Sequence, residues 1–149
     1  MPTLAQRLHA ALVDVLTVVE EPDGALTVSY DGVVASLRVV AIAEGLEMIS
    51  LTQPLAWDLP LTNKTRERVA EHASHTLLGT VALVEKPVST PANGSSAAAA
   101  TRKSPAKKVA DVMLRYNFPG TGLTDDALRT LILMVLAAGA DVRRALLEG

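Results

Sequence analysis

The sequence predicts an α+β domain: a five-stranded antiparallel sheet with helices packed on it, in the order α-β-β-β-α-β-β-α. Three observations carry that prediction. Apolar residues recur at helical spacing near both ends of the chain. Between them lie short apolar runs of strand length. Turn signals such as Asp31-Gly32 and Glu44-Gly45 divide those runs into hairpin partners. At 149 residues the chain has the length of one domain, expected over 1–149.

Residues 3–19 read as an amphipathic helix, with Leu4, Leu8, Leu12, Val15 and Val19 on one stripe. Thr3 and Gln6 have the spacing of a capping box, in which hydroxyl and amide each satisfy an orphan backbone donor. Pro22-Asp23-Gly24 stops the helix. In the first strand Leu26, Val28 and Tyr30 alternate with Thr27 and Ser29. Asp31-Gly32 then supplies the two positive-φ positions of a tight hairpin. The second strand runs from Val33 to Ala43 and the third from Leu46 to Thr52. Pro54 and Pro60 donate no N–H and are expected to end the pairing, with Trp57 on the loop between them. A second helix is predicted over 63–76, its thin apolar face made of Val69, Ala70, Ala73 and Leu77. The fourth strand is Leu77 to Val84 and the fifth Val109 to Phe118. Residues 87–108, rich in Ala, Ser, Pro and Lys, are expected to form a flexible low-complexity insertion between them. Thr124 caps a last helix over 124–147, and Asp125 and Asp126 suit the positive end of its dipole. Its core face is Leu128, Leu131, Ile132, Val135, Val142 and Leu146.

Composition narrows the function classes. Hydrophobic residues make up 49% of the chain and aromatics only 3%, so few rings are available to stack on unpaired bases. There is no cysteine, which excludes disulfides, thiolate metal sites and a cysteine nucleophile and fits a cytoplasmic location. The first residues, Met1-Pro2-Thr3-Leu4, lack the pattern of a secretory leader. The longest apolar run, Leu131 to Ala140, is too short to span a bilayer. Arg102, Lys103, Lys107 and Lys108 cluster without an intervening acid. The rest of the chain has ten basic residues against sixteen acidic ones, a balance of −6 that argues against nucleic acid as a partner.

An antiparallel sheet covered on one face alternates apolar and polar residues. The second, third and fourth strands do not. The second has Val33, Ala35, Leu37 and Val39 on one side and Val34, Val40 and Ile42 on the other. The run Leu131-Ile132-Leu133-Met134-Val135-Leu136 is apolar around the whole helix and is expected to be buried on more than one side. Either the helices divide over both sheet faces, or an apolar face is left for a partner.

No phosphate-binding glycine loop and no Gly-x-Ser-x-Gly elbow is present; Gly120-x-Gly122 reads as a turn before the Thr124 cap. Glu71, His72 and His75 lie close on the second helix, but a stable metal site needs a further ligand that no motif supplies. A small hydrolase using His75 and Glu71 is the corresponding enzyme alternative. His9 stands beside the first apolar stripe without an identifiable partner. Asp125 and Asp126 diverge by about 100° around the helix and cannot share one proton or metal. The basic 102–108 segment leaves a small regulatory or nucleic-acid-associated protein as the alternative to protein binding. No catalytic residue, cofactor or metal is expected.

Arg115-Tyr116-Asn117-Phe118, a glycine-rich turn, and then Gly122-Leu123-Thr124-Asp125-Asp126-Ala127-Leu128 resemble the C-terminal part of the YbjN family. These are bacterial proteins with a fold like that of type III secretion chaperones, and the element order matches that fold. The insertion at 87–108 is longer than that fold leads one to expect, and the second helix has few residues in common with it. The resemblance implies a homodimer without an active site, a chaperone-like module that holds an extended partner protein on apolar sheet and helix surfaces. Together with the doubly apolar fourth strand, it places the expected dimer contact on Val69, Ala70, Ala73, Val81 and Leu83.

Overall fold

The computed structural model describes residues 2–87 and 108–148, so the insertion expected at 87–108 lies outside the described residues apart from its two ends. Helix α1 spans Leu4–Leu12 and opens on the expected capping box: Gln6 N–H donates to Thr3 Oγ1 (3.1 Å), and Thr3 N–H donates to Gln6 Oε1 (2.8 Å). It ends seven residues short of the predicted boundary. From Val13 to Val19 five of seven residues are β-branched, a composition that favours extended backbone. Thr17–Glu20 accordingly forms a strand, β1, where helical spacing predicts the end of the first helix.

Strands β2 (Leu26–Tyr30) and β3 (Val33–Ala43) fall at the predicted positions. Their turn has the predicted positive φ at Asp31 (49°) and Gly32 (77°). Strand β4 runs Leu46–Pro60, twice the predicted length. The prolines do end one set of pairings. The β3–β4 register closes at Ser36 opposite Thr52, just before Pro54. On its other side β4 stays paired to β6 (Lys108–Pro119) as far as Pro60 opposite Val109, through register shifts at Pro54/Ala56 and Ala56/Leu59. A proline is tolerated in a strand where its missing N–H faces no partner or a bulge absorbs it.

Helix α2 (Asn63–His75) is capped by Thr62, whose Oγ1 accepts the Thr65 N–H at 3.1 Å. Strand β5 (Thr80–Pro87) begins three residues later than predicted. Helix α3 (Asp125–Glu148) is capped as expected, with Ala127 N–H donating to Thr124 Oγ1. Among the described residues the sheet thus has six antiparallel strands, not five, in the order β1-β2-β3-β4-β6-β5.

Among the described residues, all three helices lie on one face of this sheet. Leu4, Leu8 and Leu12 of α1, Val69 of α2, and Leu128, Ile132, Val135 and Leu136 of α3 join Val28, Leu37, Ile49, Leu51, Val112 and Leu114 of the strands in one buried cluster. Burial of each such side chain contributes about 1.5–3 kcal/mol. Polar contacts tie the helices together: Arg7 pairs with Asp125, Arg129 Nε donates to the Ala11 carbonyl at the end of α1, and Arg68 donates to the Ala145 carbonyl. Helix α3 crosses β4 closely. Gly139 leaves the space that the fully buried Gln53 side chain occupies, and Gln53 Nε2 donates to the Leu136 carbonyl at 3.3 Å.

Candidate partner-binding face

Among the described residues the helices cover one face only and nothing covers the other, and strand register decides which side chains that face carries. Residues opposite one another in a ladder project from the same side. Leu37, Ile49, Leu51, Val112, Leu114 and Phe118 point into the core, so their neighbours in sequence form the outer face. Across the strands these neighbours fall in rows. Thr27, Ser36, Thr52, Arg115 and Thr80 make one row, and Arg38, Ser50 and Asn117 the next. Flanking this polar band is a row of Val40, Met48 and Pro119, extended by Ile42. On the other side lie Pro54, Met113 and Ala82, with Val34 beside Pro54 and Val84 below. Ile42 is 60% exposed and Val34 50%. The second apolar side of these strands is therefore an open face, and it is divided by a hydrophilic middle rather than continuous.

The sequence placed the single tryptophan on a loop; it stands in the bulged half of β4, 58% exposed. Its neighbour Asp58 has φ +56°, a left-handed conformation that costs most residues energy and that Asp adopts more readily. Two contacts hold it there. The Asp58 N–H donates to Asp111 Oδ1 at 3.0 Å, and its carboxylate meets Lys86 Nζ at 2.6 Å. Lys86 also pairs with Asp111 at 3.0 Å and stands over the Trp57 ring, 5.9 Å from its centroid. Hydrogen bonds to Asp58 and then Asp111 push the Lys86 ammonium above its ordinary value. Burial works to raise the Asp111 carboxyl, but the Asp58 N–H and the Lys86 ammonium outweigh it and hold the carboxyl below the ordinary range. The network keeps the indole displayed on the surface.

Beside Trp57, where β4 parts from β3, is a hollow of ≈ 570 Å³. Val34, Pro54, Leu55 and Trp57 form its walls, and Arg143 and Leu147 come from the last turns of α3. The β2–β3 turn at its rim is pinned by Arg144, which pairs with Asp31 at 3.0 Å and with Asp141 at 3.1 Å.

The residues expected at a dimer contact lie elsewhere. Val69 and Val81 are buried within the chain's own core, 4% and 6% exposed. Ala73 and Leu83 are half-buried against that core, leaving Ala70 as the exposed member. The apolar area that was to meet a partner is used where α2 packs on β5. Leu77 projects into solvent at 82% exposure. Nor is α3 enclosed all round, since Met134 is 45% exposed and Leu131 and Leu133 are half-buried. No three His, Asp or Glu side chains converge among the described residues, so His72, His75 and Glu71 gain no further metal ligand from the fold. His9 lines a second concavity with Gln6, Glu20 and Leu26, between α1 and the β1–β2 hairpin. Of the basic cluster, Arg102, Lys103 and Lys107 lie outside the described residues, and Lys108 is exposed at the start of β6. No helix among the described residues is long and apolar enough to cross a membrane.

Among the described residues, fold and face together define an α+β protein whose helices cover one side of a six-stranded antiparallel sheet. Neither a protein-family model nor a curated protein matches the chain.

Proposed function

We propose that this chain is a non-catalytic, chaperone-like protein-binding module that holds an extended segment of a partner polypeptide on the uncovered face of its sheet. The observation that carries the reading is the one-sided packing of the helices, which leaves Val34, Trp57 and Val84 exposed at one end of the face and Val40 and Ile42 at the other. Groups of exposed apolar side chains mark interaction surfaces, and tryptophan is enriched at their energetic centres. Six strands at about 4.8 Å spacing make the face ~24 Å wide, room for an extended segment of about seven residues. The resemblance to the YbjN and secretion-chaperone proteins points the same way. In this reading the Ser/Thr middle row supplies hydrogen-bonding groups to a bound backbone while the two apolar rows take its side chains.

Aggregation of reduced insulin B chain, followed by light scattering, tests this directly. The protein itself has no cysteine, so the reductant leaves it untouched. The wild-type protein should suppress scattering at roughly equimolar concentration, and Val34→Asp and Trp57→Ala should lose the effect while keeping their circular dichroism. Suppression by the variants equal to that of the wild type would remove the open face from consideration.

A further inference from the structure

We propose that the hollow beside Trp57 is an anchoring subsite for a partner segment that combines a large aliphatic side chain with a carboxylate one or two residues away. The inference rests on the reading of the open face as a polypeptide site and names the chemistry that site selects. The hollow exists because β3 pairing stops at Ser36 opposite Thr52 while β4 continues, so the two strands part and the end of α3 closes the gap from below. Its walls are apolar: Val34, Pro54, Leu55, Trp57 and Leu147. They suit an aliphatic side chain, with the displayed indole as one wall.

Charge decides the second half of the ligand. The neighbouring cations are already neutralised, Arg144 by Asp31 and Asp141 and Lys86 by Asp58 and Asp111. Arg143, half-buried at the hollow, has no ion pair among the described residues. A guanidinium drawn partly out of water beside apolar groups is stabilised by a planar anion that accepts two of its N–H donors, and in a polypeptide that group is a carboxylate. Lys86, held by Asp58 and Asp111, stands over the Trp57 ring, and the indole lines the same hollow.

A random-peptide display library selected on the full chain, with the fluorescence anisotropy of dye-labelled synthesised hits as the binding signal, tests the inference. Enriched peptides should carry Asp or Glu within two residues of Leu, Ile, Met or Phe. Their affinity should fall on the order of tenfold with Arg143→Met, which keeps the apolar stem, and recover in part with Arg143→Lys. Trp57→Ala should abolish binding. Thermal melts of each variant establish that it is folded. Peptides without an acid that ignore Arg143→Met but need Trp57 would overturn the subsite chemistry and leave the polypeptide reading standing. Peptides indifferent to Trp57 and to Val34→Asp would overturn both. Octanoate binding in place of peptides, with the same residue dependence, or a dimer that itself shields Trp57, would overturn the assignment of the hollow to a partner polypeptide.

Discussion

Replacing Gly139 by Ala tests how closely α3 lies on the sheet. In an exposed helix interior this change stabilises by about 1 kcal/mol, because alanine restricts the unfolded chain and favours the helix. At position 139 a Cβ would stand 2.1 Å from Gln53 Oε1 and 2.6 Å from its Cδ, distances that no real contact tolerates. Gln53 is wholly buried, and its Oε1 already lacks a hydrogen-bond partner. The side chain therefore has to swing away, losing its bond to the Leu136 carbonyl, or the helix has to lift. Overpacking costs about 1–3 kcal/mol. A buried amide left without its bond costs about 1–3 kcal/mol more. Set against the helix gain, the net loss is about 3 kcal/mol, or roughly 6–12 °C in Tm for a chain of this size. Calorimetry of Gly139→Ala, Gln53→Ala and the double variant should show a coupling of about 1–3 kcal/mol, with the double variant recovering part of the loss. A rise in Tm for Gly139→Ala alone, or additive single effects, would refute the close approach of α3 to β4.

Three further predictions follow from burial and charge. Val81→Asp, which a dimer contact at α2 and β5 would turn into a folded monomer, should instead abolish cooperative unfolding, because a carboxylate at a 6% exposed core position is expensive; a folded monomeric variant from a dimeric parent would restore the α2–β5 contact. Val40→Asp on the outer face should move Tm by no more than about 2 °C, since surface changes fall within ~0.5 kcal/mol; a fall of more than about 5 °C would mean that the face is covered in solution. Trp57 emission should be constant around neutrality. The lowered Asp111 carboxyl contributes above the ordinary value of 3.8 and is lost as pH falls through its folded value below that. The raised Lys86 ammonium contributes below 10.5 and is lost as pH rises past it. The alkaline transition should vanish in Lys86→Met, while the acid transition should persist at a higher pH because the Asp58 N–H still holds Asp111; an emission change near pH 7 would contradict the assignment.

Much of the local structure was legible because it depends on neighbours in sequence. The Thr3–Gln6 box, the Asp31-Gly32 turn, the limits of β2 and β3 and the Thr124 cap each follow from side chains within a few positions of one another. The failures share a different cause. Whether Thr17–Glu20 extends a helix or joins a sheet is settled by the presence of β2 as a partner, which helical spacing does not register. Whether Pro54 ends a strand depends on which edge faces a neighbour: toward β3 it does, toward β6 it does not. The candidate site was the least legible part. Trp57, Lys86, Arg143 and Val34 lie on four different elements, and no spacing rule connects them. The apolar residues on both sides of the strands, and the lack of a Gly-x-Ser-x-Gly or phosphate-loop motif, can be read from the residues alone. That the described helices share one face is fixed by long-range packing, of α1 against the start of α3 and of α2 near its end, and among the described residues this packing leaves the other face open.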